Sequence, residues 1–335
     1  MIIENRSPTR VDLAGGTLDM WPLYNFVGRA KTINLAIDIW TSAKLVKKSD
    51  QQVIIESLDY NKKWNFKSTQ ELLELVDPQL SLFQNTIKPF YERYTAAFQQ
   101  GFHLTTKSES PIGGGLGGSS SLVISMLKSF AKYTDHTFNN IHDLVYWAHN
   151  IEACILNTPT GTQDYYPAAT GGLCFIDYTI SGITQTIINP NNTPFAENFL
   201  LVNTGKSHHS GLNNFEVLKS VVQKDSKVMS ALNDIKSISE DLFNVIQNQL
   251  WSEIPNIFKR EFQSRIQLTP AFSSLEIEKL ADISLKNGAE AVKICGAGGG
   301  GCVLVWVSPK NRQKVIEACE NEKFQCLPAK PVSPL

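Results

Sequence analysis

Apolar positions along the chain change period several times. Residues 1–6 read as a short strand. Thr32–Trp40 and Val53–Leu58 alternate in the manner of half-buried strands. Residues 68–100 read as one or two helices interrupted by Pro78 and Pro89. From Leu122 the spacing is helical, with Leu122, Val123, Met126, Leu127, Phe130 and Ala131 on one face. A second helix spans about Asn140–Leu156 and buries Ile141, Leu144, Val145, Ala148 and Ile155. Leu173–Asp177 and Phe199–Val202 are short strands, and helical patterns fill 212–287 with few breakers before Pro255 and Pro270. Strands then flank a glycine run at 296–301, and a helix (311–322) and a strand (324–327) follow. The Pro-rich tail 328–335 is expected to fray.

Asn189–Pro194 is rich in turn formers and reads as a linker. It divides the chain into 1–190 and 195–335. A length of 335 residues, more than one core usually spans, agrees with two domains.

Composition narrows the function classes. With 42% hydrophobic and 19% charged residues, the chain reads as a soluble globular protein. A net charge of −1 gives no electrostatic case for nucleic acid or anionic membrane, so any phosphate binding must be local. No apolar run approaches the ~18 residues of a spanning helix, and the N-terminus lacks the apolar core of a signal peptide. The six cysteines, without C-x-x-C spacing, read as reduced, mostly buried thiols of a cytoplasmic protein.

The densest chemistry lies at Pro111-Ile112-Gly113-Gly114-Gly115-Leu116-Gly117-Gly118-Ser119-Ser120. Glycines running into a helix N-terminus expose backbone N–H groups and the positive end of the helix dipole, a setting that favours phosphate. Gly113, Gly115 and Gly118 fit G-x-G-x-x-G, but the polar lead-in 103–111 is not the apolar strand a dinucleotide fold needs, and no Walker lysine follows. The second glycine run, at 296–301, fits neither a protein kinase nor a dinucleotide fold, because the further kinase motifs are missing and a strand follows it. Glu152 falls on the apolar stripe of its helix and needs either an ion-pair partner or a cation. Asp164, among small residues, reads as a helix cap or a functional carboxylate. Arg10 and Asp19 lie in what reads as a loop after the first strand, placed at a shared cleft. His208 and His209 are adjacent, so their side chains diverge and read as polar loop rather than a metal pair.

Arg10…Gly15-Gly16-Thr17…Asp19, Pro111–Ser120 and Lys293…Gly296-Ala297-Gly298-Gly299-Gly300, in this order, resemble the three motifs of the GHMP superfamily (galactokinase, homoserine kinase, mevalonate kinase, phosphomevalonate kinase). Ala14-Gly15-Gly16 and Gln163-Asp164-Tyr165 look closest to the sugar kinases near D-glycero-D-manno-heptose 7-phosphate kinase, which phosphorylate the anomeric C1 hydroxyl. The resemblance implies an α+β, two-domain fold: an N-terminal domain like ribosomal protein S5 domain 2, and a ferredoxin-like C-terminal domain. It implies ATP and Mg²⁺ as cofactors and a small sugar or sugar phosphate as substrate.

It also implies roles. Pro111, Gly113, Gly114, Gly115, Leu116, Gly117, Gly118, Ser119 and Ser120 would hold the nucleotide, and Ser119 and Glu152 the metal. Asp164 would act as base and Arg10 would stabilise transferring charge. Asp19, Gly16, Thr17, Gly296, Ala297, Gly298 and Gly299 would meet the substrate. Two departures stand out. Gly118 occupies the family's usual first serine, leaving Ser119 at the cation position. Lys206, His208 and His209 stand where heptose-phosphate kinases usually carry an arginine. A non-sugar kinase of the superfamily, such as mevalonate kinase, and a non-catalytic sugar- and ATP-sensing protein remain the alternatives.

Overall fold

The structure, a computed structural model, describes residues 1–207, 210–296 and 298–335. Seven strands form the first sheet: β1 (Ile2–Ala14), β2 (Ala30–Lys47), β3 (Val53–Ser57), β4 (Lys62–Phe66), β5 (Phe102–Ser108), β6 (Leu173–Thr179) and β7 (Gly182–Ile188). Its spine is the long antiparallel pair β1–β2. The other edge of β2 is shared: β5 pairs with residues 41–47 and β6 with residues 30–35. The second sheet holds β8 (Phe199–Asn203), β9 (Ala291–Ile294), β10 (Cys302–Trp306) and β11 (Gln325–Leu327) in the order β11-β8-β10-β9, all antiparallel. With helices between β8 and β9 and between β10 and β11, this is the βαββαβ arrangement of a ferredoxin-like unit.

Alternation along the strands divides the core. Val11, Leu13, Ile33, Leu35, Leu173 and Phe175 share one cluster with Leu201, Leu304 and Trp306 of the second sheet. Ile176, which points the other way from Phe175, and Ala43 and Leu45, beyond the register shift of the β1–β2 pair, belong to the cluster of Val123, Leu127 and Phe130 of the helix Gly118–Thr134. The helix Ile141–Leu156 starts at an Asn140 cap whose side chain accepts from Asp143 N.

The structure departs from several expectations. The first strand does not stop at residue 6 but runs to Ala14, with a register shift between Pro8 and Thr9. Arg10 is therefore a strand residue, not a loop residue. The polar lead-in is β5, whose buried positions are Phe102, Leu104 and Thr106. The tail does not fray. It folds back onto the first sheet, where Asp38 N bonds Lys330 O, Val332 N bonds Ala36 O, Gly172 N bonds Val332 O and Leu335 N bonds Thr170 O. Cys154 is exposed and Cys326 partly so, while the other four cysteines are buried; all six are free thiols. No helix among the described residues is long and apolar enough to cross a membrane.

Candidate functional site

Arg10 ties the site together from β1. Its Nε and Nη2 both bind Oδ1 of Asp164, at 2.8 and 2.6 Å. Its Nη1 donates to the carbonyls of Gly115 at 2.6 Å and Cys295 at 3.1 Å, and its backbone N–H bonds Leu116 O at 3.0 Å. One planar guanidinium, 4% exposed, thus touches the first glycine loop, the second glycine loop and the Asp164 segment at once. Burial alone would lower its pKa, but the charges of Asp164 and Asp12 outweigh that and raise it. Asp164 stands at the N-cap of the helix Tyr165–Thr170 but makes no side-chain capping bond. Its carboxylate is committed to Arg10 through Oδ1.

The glycines of the first loop are used for curvature and approach. Gly113, Gly115 and Gly117 have φ of +66°, +71° and +69°, where a side chain is strained. A Cβ on Gly117 would lie 3.2 Å from Asp164 Oδ2, so this glycine lets the carboxylate rest against the loop. The two loops also touch each other: Cys302 N bonds Gly114 O at 2.8 Å, and a Cβ on Gly296 would meet Gly115 O at 2.9 Å.

Glu152 is buried and lies beside the first turn of the Gly118–Thr134 helix. Its Oε2 accepts from Ser120 Oγ at 2.6 Å and Tyr165 OH at 2.5 Å. Burial pushes its pKa up, against the hydroxyls of Ser119, Ser120 and Tyr165, which favour the carboxylate. Among the described residues no cation pairs with Glu152, so the ion-pair alternative is not what this fold builds. Ser119 is exposed to the same cleft. A hydroxyl and a carboxylate here make a hard-oxygen donor set of the kind Mg²⁺ takes.

These groups line one cleft of about 540 Å³. Pro111, Gly113–Ser120, Glu152, Asp164, Arg10, Thr17, Asp19 and Gly296 all face it. Asp19 accepts from Gln163 N at 3.0 Å, and a Cβ on Gly161 would fall within 1.9 Å of its Oδ2. Burial, then the charges of Asp164 and Asp12, push the Asp19 pKa up to about 6, against the pull of the Gln163 N–H.

Three expected substrate residues are not on the cleft wall. Gly16 packs under it, against Asp12, Arg265 and Gln163. Gly298 and Gly299 turn away and press on the carbonyls of Phe272 and Ala271, because the second glycine run spends its curvature on close packing. Ala297, His208 and His209 lie outside the described residues. Lys206 pairs with Glu276 at 3.1 Å on the surface. Among nearby aromatics Tyr60 lines the cleft, while Trp64 packs on Phe83.

Sequence reasoning assigned no role to Tyr165, Gln163, Asn214 or Arg265. Arg265 is buried, with Nη2 to Asp12 at 2.9 Å and Nε to Glu261 at 2.6 Å, and Lys293 Nζ lies 3.5 Å from Glu261. The sequence signal for Tyr165 was its place directly after Asp164. Glu261 and Arg265 are an i,i+4 pair on one helix, but their link to Asp12 and Lys293 left no local signal, because those two lie in remote parts of the chain.

The family model for the GHMP kinase N-terminal domain matches residues 81–172, and that for the C-terminal domain matches 230–326, together more than half of the chain. The chain is 27% identical to a D-glycero-alpha-D-manno-heptose 7-phosphate kinase of Campylobacter jejuni, over 96% of this chain and 94% of that one. It is also 27% identical to a mevalonate kinase of Arabidopsis thaliana, over 66% of this chain and 61% of the other. A crystal structure of a D-glycero-D-manno-heptose 1-phosphate kinase from Bacteroides thetaiotaomicron superposes with a TM-score of 0.79 at 19% identity, over 100% of this chain and 97% of that one. With both family models matched in order and the two-sheet architecture in place, the chain belongs to the GHMP kinases.

Proposed function

We propose that the protein is an ATP- and Mg²⁺-dependent sugar kinase that phosphorylates the anomeric C1 hydroxyl of a heptose 7-phosphate or a hexose. The observation that carries this reading is the Arg10 guanidinium, which joins Asp164 to both glycine loops. Phosphoryl transfer asks for positioning and charge neutralisation more than for covalent chemistry. The Gly113–Ser120 amides and the helix N-terminus behind them would hold the β- and γ-phosphates. Ser119 and Glu152 would hold Mg²⁺, which when bound neutralises charge between those phosphates.

Asp164 uses Oδ1 for Arg10 and turns Oδ2 toward the loop at Gly117. Oδ2 is therefore the atom that would accept the proton of the attacking sugar hydroxyl. Arg10 would keep that carboxylate oriented and stabilise negative charge that develops on transfer. Asp19 and Thr17, at the same cleft, would take the remaining sugar hydroxyls. Gly16 and the second glycine run would act by packing, with Gly296 alone of the described run on the cleft wall. We place the working protein in the cytoplasm, where ATP is available. We divide it into 1–190 and 195–335, a division supported by the change of sheet between β7 and β8, with the tail returning to the first unit.

The experiment is a substrate panel read by coupled ADP release: hexoses, heptoses, their 7-phosphates and mevalonate, each with ATP and Mg²⁺. A sugar-dependent signal is the expected result. A signal with mevalonate alone would move the reading to a non-sugar kinase, and ATP binding without turnover on any acceptor would favour a sensing protein.

A further inference from the structure

Glu152 is held by more than its own helix. Its Oε2 takes two O–H donors, Ser120 from the glycine-loop helix and Tyr165 from the segment after Asp164, and neither bond uses Oε1. Tyr165 is 1% exposed, so its phenol has no water to turn to and its ring is fixed by packing. A buried carboxylate with a single donor can still rotate; two donors from different elements, converging on one oxygen, fix its plane. Tyr165 also follows Asp164 directly in the chain, so the donor to Glu152 and the carboxylate bound to Arg10 sit on adjacent residues.

We propose that Tyr165 is a positioning residue for the cation: its phenol occupies Oε2 of Glu152 and so presents Oε1 to the metal, registered against Asp164 one residue away. This rests on the kinase reading above. Outer donors to a metal-binding carboxylate set its orientation, and their loss typically weakens metal affinity about 10- to 100-fold.

The test is Mn²⁺ binding to the full chain with the non-hydrolysable nucleotide AMPPNP, read as loss of the free Mn²⁺ paramagnetic resonance signal. Tyr165→Phe should weaken Mn²⁺ binding about tenfold or more, with metal-free AMPPNP affinity unchanged. Mn²⁺ affinity within about twofold of native would overturn the proposal. In the Glu152→Gln background Tyr165→Phe should add nothing, because Tyr165 acts through Glu152; a full additive loss would contradict it. Should Tyr165→Phe fail to fold, Ser120→Ala removes the other donor to the same oxygen. A comparable loss there supports the proposal and an unchanged affinity overturns it. Native protein that takes up no Mn²⁺ with AMPPNP would remove both this proposal and the kinase reading. A native protein that binds, beside a variant that binds equally well, removes this proposal alone.

Discussion

Asp19 shows how burial beside other carboxylates shifts one side chain. Its carboxyl is buried beside other carboxylates, and its pKa is about 6 instead of 3.8. The folded protein therefore holds this proton more tightly than the unfolded chain does. Its stabilising contribution is present below about pH 4 and lost as pH rises through about 6, worth on the order of 3 kcal/mol. Asp19→Asn should accordingly flatten the pH dependence of stability between pH 4 and 6, as read by denaturant titration. A native-like slope in the variant would place the titration elsewhere. The ionised form is the better acceptor for sugar hydroxyls, so the KM for sugar should fall as pH rises through about 6, and Asp19→Asn should lose that trend. Glu152 was legible at this scale, since a carboxylate on an apolar stripe needs a partner. Its donor Tyr165 was marked only by its place after Asp164, and nothing in local sequence says that its hydroxyl reaches Glu152 from another element.

Elements were legible where pattern and caps agreed. The Ile141–Leu156 helix, with its Asn140 cap and its stripe, and the helix behind the glycine loop follow from spacing alone. β1 did not, because Ser7, Thr9, Arg10 and Asp12 read as polar turn yet lie buried in a strand. They are buried because their partners come from remote parts of the chain, the place where local pattern is expected to fail. The glycine loop invites an element-scale test. Gly117→Ala places a side chain at φ +69° and 3.2 Å from Asp164 Oδ2. The strain should cost about 1–2 kcal/mol, seen as a lower Tm, and kcat should fall with it as Asp164 is displaced. Unchanged kcat would separate Gly117 from the reacting carboxylate. The tail can be tested by deletion. Removing 330–335 strips backbone bonds from Ala36, Asp38, Thr170 and Gly172, each worth about 0.5–1.5 kcal/mol. Thermal unfolding should shift down; an unchanged Tm would mean the tail contributes nothing.

Across the whole molecule, two sheets share a core, and a buried charge cluster crosses between them. Asp12 comes from β1, Glu261 and Arg265 from the helix Ile254–Ile266, and Lys293 from β9. Breaking such a cluster by removing one member leaves the others buried and unpaired, which costs about 3–5 kcal/mol. Arg265→Met should show a loss of that size in denaturant unfolding; a loss under about 1 kcal/mol would mean the cluster is not coupled. The order of the three motifs made the family and the two-part architecture readable, whereas this cluster and the close packing of Gly298 and Gly299 emerge only once the chain is folded.

In the proposed reaction the carboxylate held by Arg10 beside the glycine loops takes the proton of the attacking sugar. Sugar-dependent ADP release by Asp164→Asn, measured beside its ATP affinity, tests this most directly. We expect kcat to fall by about 10²–10⁴-fold with ATP binding retained. A fall of less than about tenfold, with ATP still bound, would contradict it.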